Sequence, residues 1–457
     1  MNLSLGRALD VTRGTLLAGD TAPPALRLTT DSRSVAPGDT FLALRGERFD
    51  GHEFAAEAVR RGAAMLVLER PESRVAGTPT MLVGETRAAY LALAGAARDL
   101  FTGRVVAITG STGKTTTKEF LAQLLAVRYG ERVLATAENE NNELGVSKLI
   151  LRASNDEHDV LVIEMGARHY GDVARLVEVA RPGIGILTNI GEAHLEIVGS
   201  RQRLEATKWA IFSGGALPIL NAADTASRRL APSLPRSPHW FAAELPADPP
   251  KGSTLTAFDG IEHLLVDSGR QIARYAVDVR VPGLHNRANL AAAIAGAIEL
   301  ETSIEELLGM ISRVRLPRGR YDRITAAGGI HLIYDAYNAN ASGMMAALDA
   351  FATESAARRI AVLASMAELG EESESLHEQV GAHAAARVDV LLVAGKYASE
   401  LARGAKRGGL ESRQIVFVET NTGAARWLRE NARSDDVVLL KGSRRYKLEE
   451  IVEELRA

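Results

Sequence analysis

Val105-Val106-Ala107-Ile108-Thr109-Gly110-Ser111-Thr112-Gly113-Lys114-Thr115-Thr116-Thr117 decides the fold. A short β-branched run ends in a glycine-rich turn, and a helical pattern follows from Lys118 to Arg128. Glycines let backbone N–H groups close around phosphate oxygens, and the helix N-terminus adds partial positive charge. Gly110, Ser111, Thr112 and Gly113 would form that cradle, with Thr116 in the first helical turn. Lys114 can reach the β- and γ-phosphates, and the Thr115 hydroxyl can ligate Mg²⁺. An ordinary glycine-rich turn does not need the Gly-Lys-Thr-Thr run. The loop is shortened, because the full phosphate-loop spacing needs a glycine where Ile108 stands. The chain has no Asn-Lys-x-Asp guanine-reading motif, so ATP is the expected nucleotide.

Outward from this turn, apolar runs alternate with amphipathic stretches. Val160 to Ile163 and Ile184 to Ile190 read as further strands, and Asp172 to Ala180 as a helix. Such alternation predicts parallel α/β architecture. Breaks fall at Phe101-Thr102-Gly103-Arg104 and at Leu316-Pro317-Arg318-Gly319-Arg320; the second is a candidate hinge. The rhythm restarts at Ile330 to Tyr334, Ile360 to Leu363, Val388 to Val393, Ile415 to Val418 and Val437 to Leu440, which predicts a doubly wound, Rossmann-like sheet. At roughly 150 residues per domain, 457 residues suggest about three domains. The expected division is a small N-terminal α/β domain (1–102), a central phosphate-loop ATPase sheet (103–316) and a C-terminal Rossmann-like domain (317–457). Ser233 to Ser253, rich in Pro and Ser, reads as a surface excursion.

Composition narrows the function. Lys plus Arg is 54 against 57 for Asp plus Glu, which argues against a nucleic-acid partner. With no cysteine there is no disulfide, thiolate metal site or thiol nucleophile. No apolar run approaches a membrane span and the opening segment has no signal-peptide core, so a cytoplasmic protein is expected.

Two further positions carry candidate chemistry. Glu164 ends the Val160 strand at the edge where open α/β sheets bind ligands, and a carboxylate there suits Mg²⁺. His194 and Glu196 follow the next strand on the same edge, which makes His194 a candidate metal or phosphate ligand. Lys208 by itself reads as a surface lysine with an apolar stem.

Together these residues resemble the Mur ligases of peptidoglycan synthesis, over essentially the whole chain. In the first domain the resemblance rests on Asp31-Ser32-Arg33, Pro37-Gly38-Asp39, Gly46 and Asp50-Gly51-His52. In the second it rests on the phosphate turn, Asn139 to Gly145, Glu164-Met165-Gly166-Ala167, Asn189 to Glu196 and His285-Asn286 with Asn289. In the third it rests on Gly319-Arg320, Tyr337-Asn338-Ala339-Asn340, Glu368-Leu369-Gly370 and Lys441-Gly442-Ser443-Arg444.

The resemblance implies an ATP- and Mg²⁺-dependent amide ligase in cell-wall synthesis; nothing in the sequence demands more than a monomer. ATP would phosphorylate the terminal carboxylate of UDP-MurNAc-tripeptide, and the amine of D-Ala-D-Ala would attack the acyl phosphate. It implies a carbamylated Lys208 that joins Thr115, Glu164 and His194 around the metal, with Lys114 as the catalytic cation. Asn286, Arg320 and Asp335 would contact the nucleotide. Ser32 and Arg33 would touch the UDP portion, and Asn141, Asn142, Tyr337, Asn338 and Asn340 would line the substrate sites. The chain departs from the family pattern at Ala336, Ala341, Ser365, Ser147 and Trp209. Two other readings stay open: a ligase for a different amine, and an ATP-binding scaffold without turnover.

Overall fold

Val105, Val106, Ala107 and Ile108 are all buried, as are Val160 to Ile163, Ile184, Ile186 and Leu187. Strands this apolar must be covered on both faces, which is the position of central strands in a parallel sheet. The computed structural model describes residues 3–17, 22–46, 49–138, 140–191, 200–248, 254–269, 271–367 and 369–456. Its central sheet has nine strands. In spatial order they are Ile272–Ala276, His263–Asp267, Leu255–Asp259, His239–Phe241, Leu217–Asn221, Ile184–Leu187, Arg104–Thr109, Val160–Glu164 and Val133–Ala135. The first two run antiparallel to their neighbours and the rest pair in parallel.

The strand that feeds the phosphate turn therefore lies between Val160–Glu164 and Ile184–Leu187, with Glu164 opposite Ile108 and Leu187 opposite Thr109. One face is covered by the helices Lys114–Tyr129 and Gly283–Glu299. The second of these is alanine-rich and buried nearly all round. Its Gly296 permits close approach: a Cβ there would lie 3.0 Å from Ile186 Cδ1 and 3.3 Å from Leu121 Cδ1.

Besides an antiparallel pair, Leu3–Ser4 with Ala25–Leu26, two smaller sheets accompany this one among the described residues. The N-terminal sheet orders Thr15–Leu17, Thr80–Leu82, Met65–Leu68, Thr40–Leu42 and Leu28–Thr29, parallel except for its first pair. The C-terminal sheet orders Asp322–Thr325, His331–Tyr334, Val437–Lys441, Arg359–Ala364, Val390–Ala394 and Ile415–Val418, again antiparallel only at its first pair. This mixed α/β fold with parallel sheets agrees with the expected class.

Two local expectations are corrected. The Ser233 to Ser253 stretch is not wholly a surface excursion, because His239, Trp240 and Phe241 are a buried strand of the main sheet. The strand expected over Ile184 to Ile190 stops at Leu187. Thr188 and Asn189 leave the ladder because they bond the phosphate turn instead.

Candidate functional site

The phosphate turn is held from the side. Asn189 accepts from Ser111 N through its carbonyl at 3.0 Å and from Thr112 N through Oδ1 at 3.1 Å. Thr188 Oγ1 donates to Thr112 O at 2.6 Å. Gly110 sits at φ 151° and Gly113 at φ 81°. A Cβ on Gly110 would come within 1.8 Å of Thr188 Oγ1, and one on Gly113 within 2.2 Å of Asn289 Oδ1. Both glycines are thus required by close approach as well as by backbone conformation. The helix starts at Lys114 with no side-chain cap. The N–H groups of Lys114, Thr115 and Thr116 therefore have no intrahelical partner and suit an anion.

Two lysines converge on this loop. Lys114 Nζ donates to Gly110 O at 2.7 Å, and Lys208 Nζ donates to the same oxygen at 3.2 Å. Lys208 is 1% exposed, so its reading as a surface lysine is wrong: the helix Arg201–Trp209 packs it under the loop. Burial, and then the Lys114 ammonium, push the Lys208 pKa well below that of an ordinary lysine. Burial likewise lowers Lys114, while the Glu164 carboxylate opposes that shift. A neutral amine is the form that can react with CO₂, so the setting fits a carbamate at Lys208.

Glu164 is 2% exposed at the sheet's carboxyl edge. Its Oε1 accepts from Asn141 Nδ2 at 2.8 Å, while its buried Oε2 has no partner. A buried carboxylate oxygen left unmet is costly unless a cation fills the gap. With the Thr115 hydroxyl on the same cavity wall, the residues fit Mg²⁺, which typically takes one or two carboxylates together with substrate phosphates. His194 lies outside the described residues. Among the described residues no group of three or more His, Cys, Asp or Glu could by itself hold a metal.

The same cavity, about 1100 Å³, brings in all three sheets' domains. Besides the loop and Glu164, its walls include Asn141, Asn142, Asn286, Arg320, Asp335, Tyr337, Asn338 and Asn340. Asn142 caps the helix Glu143–Arg152 by accepting from Leu144 N and Gly145 N. Asn286 Nδ2 donates to Pro282 O at 2.9 Å at the start of its helix. Asn340 caps the helix Ala341–Ala352. That helix meets the phosphate loop: a Cβ on Gly343 would lie 3.8 Å from Thr112 Cγ2, and one on Gly191 would lie 3.6 Å from Ser342 Oγ. The Arg320 guanidinium lies 4.6 Å from the Tyr337 ring centroid, and its buried Nε has no partner. Asp335 Oδ2 pairs with Lys441 Nζ at 2.8 Å, both buried.

Ser32 and Arg33 are not brought to this cavity. They lie in a 3₁₀ turn of the N-terminal domain, where Asp31 accepts from Arg33 N, Nε and a terminal nitrogen. The Arg33 hydrogen bonds lower the Asp31 pKa to about 2. Sequence reasoning gave no role of their own to Thr188, Lys441 or His285, although His285 stood inside a quoted motif. Asn189 and Lys441 stood inside quoted motifs, but their partners depend on strand neighbours that no local pattern reveals. Burial pushes the His285 imidazole down to about 4.

Three Mur ligase descriptions match the chain: the catalytic domain of the family over residues 27–92, the middle domain over 108–297, and the glutamate ligase domain over 319–444. The sequence is 34% identical to the UDP-N-acetylmuramoyl-tripeptide–D-alanyl-D-alanine ligase of Escherichia coli, covering 100% of this chain and 99% of that protein. Among solved structures, the UDP-N-acetylmuramoylalanyl-D-glutamyl-2,6-diaminopimelate–D-alanyl-D-alanyl ligase of Acinetobacter baumannii aligns with TM-score 0.82 at 27% identity, over 100% of this chain and 98% of that one. The MurF ligase of Thermotoga maritima in complex with ADP aligns with TM-score 0.80 at 28% identity, over 94% and 97%.

Proposed function

Because the chain belongs to the Mur ligase family, we propose that it joins D-Ala-D-Ala to UDP-MurNAc-tripeptide at the expense of ATP. The observation that carries the reading is the convergence of Lys114 and Lys208 on the Gly110 carbonyl, beside a buried carboxylate with a free oxygen. Full-length similarity to named ligases of that specificity supports it.

The reaction must bring two anions together, a carboxylate and a γ-phosphate. The N–H groups of Lys114, Thr115 and Thr116 and the Lys114 ammonium bind the phosphates and offset charge as it moves. Mg²⁺, when bound, screens the phosphate oxygens and favours attack by the carboxylate. Thr115, Glu164, His194 and the carbamate of Lys208 are its proposed ligands. A carboxylate oxygen takes the γ-phosphoryl group and ADP leaves. The free amine of D-Ala-D-Ala then attacks the acyl carbon, loses its proton and expels phosphate. Asn286, Arg320 and Asp335 hold the nucleotide, and the Arg320 stack on Tyr337 fixes the guanidinium's plane. Asn141 orients Glu164. Tyr337, Asn338 and Asn340 face the amine, Asn142 lies on the acceptor's path, and Ser32 and Arg33 hold its UDP end.

These roles divide the chain as 1–102, 103–316 and 317–457. Among the described residues no helix is long and apolar enough to cross a membrane, in keeping with cytoplasmic work.

The test follows phosphate release from ATP and Mg²⁺ with UDP-MurNAc-tripeptide and either D-Ala-D-Ala or single amino acids. Release with D-Ala-D-Ala is expected. Release only with another amine would reassign the amine substrate, and release with none would favour a scaffold.

A further inference from the structure

On the wall of the cavity stand two arginines whose guanidinium groups are paired with no side chain among the described residues. Arg168 follows Ala167 just beyond the end of the Val160–Glu164 strand, and Arg175 lies on the helix Asp172–Ala180. Both are exposed and both line the cavity. Among the described residues, neither guanidinium has a hydrogen bond or ion pair in the structure. Several carboxylates of the cavity wall are engaged elsewhere, while Glu85 shares an adjoining hollow with Arg175 without pairing to it. Asp172 accepts from the backbone N–H of Arg168 at 2.9 Å and of His169 at 2.7 Å. Glu143 pairs with Arg87, and Glu164 engages Asn141 through one of its two oxygens. Arg175 also lines an adjoining hollow with Arg87 and Leu91 of the N-terminal helix Thr86–Leu100. Arg175 thus links the cavity that holds Lys114 to the N-terminal helix, and Arg168 lines the same cavity.

We infer that Arg168 and Arg175 bind a carboxylate of the acyl substrate that does not react. The inference rests on the ligase reading above. With the reacting carboxylate at Lys114 and the UDP end on the N-terminal domain, the peptide between them runs through the cavity that these guanidinium groups line. Guanidinium groups bind carboxylates through paired N–H donors, with more directional specificity than an ammonium. One source is a second carboxylate on a dicarboxylic terminal residue such as 2,6-diaminopimelate. The other is the free carboxylate of a D-glutamyl residue; both residues appear in the name of the Acinetobacter baumannii ligase. Neither arginine touches the reacting atoms, so they determine which acceptor is bound.

The test compares wild type with the Arg168→Gln, Arg175→Gln double variant on three acceptors. These are UDP-MurNAc-tripeptide ending in diaminopimelate, the same peptide ending in lysine, and the diaminopimelate peptide with its glutamyl carboxylate amidated. For the first acceptor KM should rise about tenfold or more, the size of a lost charge-assisted hydrogen bond. The KM for ATP should hold, and kcat should change by less than about twofold. The acceptor on which wild type and variant become equal identifies the carboxylate. An unchanged KM for the first acceptor, or the same rise on all three, overturns the inference. Calorimetric Kd values for the same three acceptors give the same comparison without turnover. Absence of turnover by wild type would therefore sink the ligase reading and still leave the arginine assignment decided by binding.

Discussion

Replacing Lys208 with Met removes an ammonium and keeps the volume of its stem. In protein freed of CO₂, nucleotide and metal, wild-type Lys208 is buried and shares the Gly110 carbonyl with Lys114. Burial first and Lys114 second lower its pKa well below the usual lysine value. A base lowered in this way binds fewer protons folded than unfolded. The resulting penalty is complete below the folded pKa and fades as pH rises toward the unfolded value near about 10.4. Within that window each pH unit adds about 1.4 kcal/mol to wild-type stability. For a domain of roughly 200 residues that is about 3–6 °C in Tm per unit. The variant lacks this dependence, and other titrating groups cancel in the difference. Melting curves at pH 8.5 and 9.5, just below the unfolded value, should therefore show the variant more stable at the lower pH, with its advantage shrinking by about that amount at the higher. Bicarbonate with Mg²⁺ should then raise the wild-type Tm alone, while ligation by the variant is lost. Parallel pH curves, or a variant less stable at both values, would refute the reading of a buried amine held neutral.

Other substitutions test the surrounding geometry. Gly110→Ala should weaken ATP binding about tenfold or more in a nucleotide titration, because the new Cβ meets Thr188 Oγ1 at 1.8 Å; Thr188→Ala in the same chain should restore part of it. Asn142→Ala removes the cap that accepts from Leu144 N and Gly145 N, and should cost about 1 kcal/mol in urea denaturation. His285, lowered to about 4 by burial, takes up its proton more readily when unfolded. Wild type should accordingly lose about 2–3 kcal/mol from this site between pH 7 and pH 4.5, a loss His285→Gln should not show. Arg320→Ala should raise the KM for ATP about tenfold, and an unchanged value would remove Arg320 from the nucleotide site.

The centre of the fold was legible because it is local. Val105 to Thr117 carries strand, turn and helix start in consecutive residues, and the apolar runs at Val160, Ile360 and Val437 announce buried parallel strands without any partner being known. What stayed hidden depends on distant pairing. Lys208 looks like any charged residue on a helix until the fold places Gly110, 98 residues away, above its amine. The buried strand His239–Phe241 was masked by flanking Pro and Ser, since three residues are too few to show a period. Asn189 lies at the end of a recognisable strand, yet its bonds to Ser111 and Thr112 follow only from the order in which strands sit side by side. Arg168 and Arg175 gave no signal at all, because an unpaired charge is defined by what is missing around it.

The tether from Asn189 to the phosphate turn has a kinetic consequence. A loop pinned by two of its amides and a threonine hydroxyl has little disorder to surrender when a triphosphate arrives. The cradle then works as a mould cast in advance, and nucleotide capture need not wait for it to fold. The part left to move is the helix Ala341–Ala352 that abuts Thr112, and its withdrawal is the step that would set the pace of release. Turnover in this enzyme would be timed by a door swinging on its third domain, while the lock itself stays still.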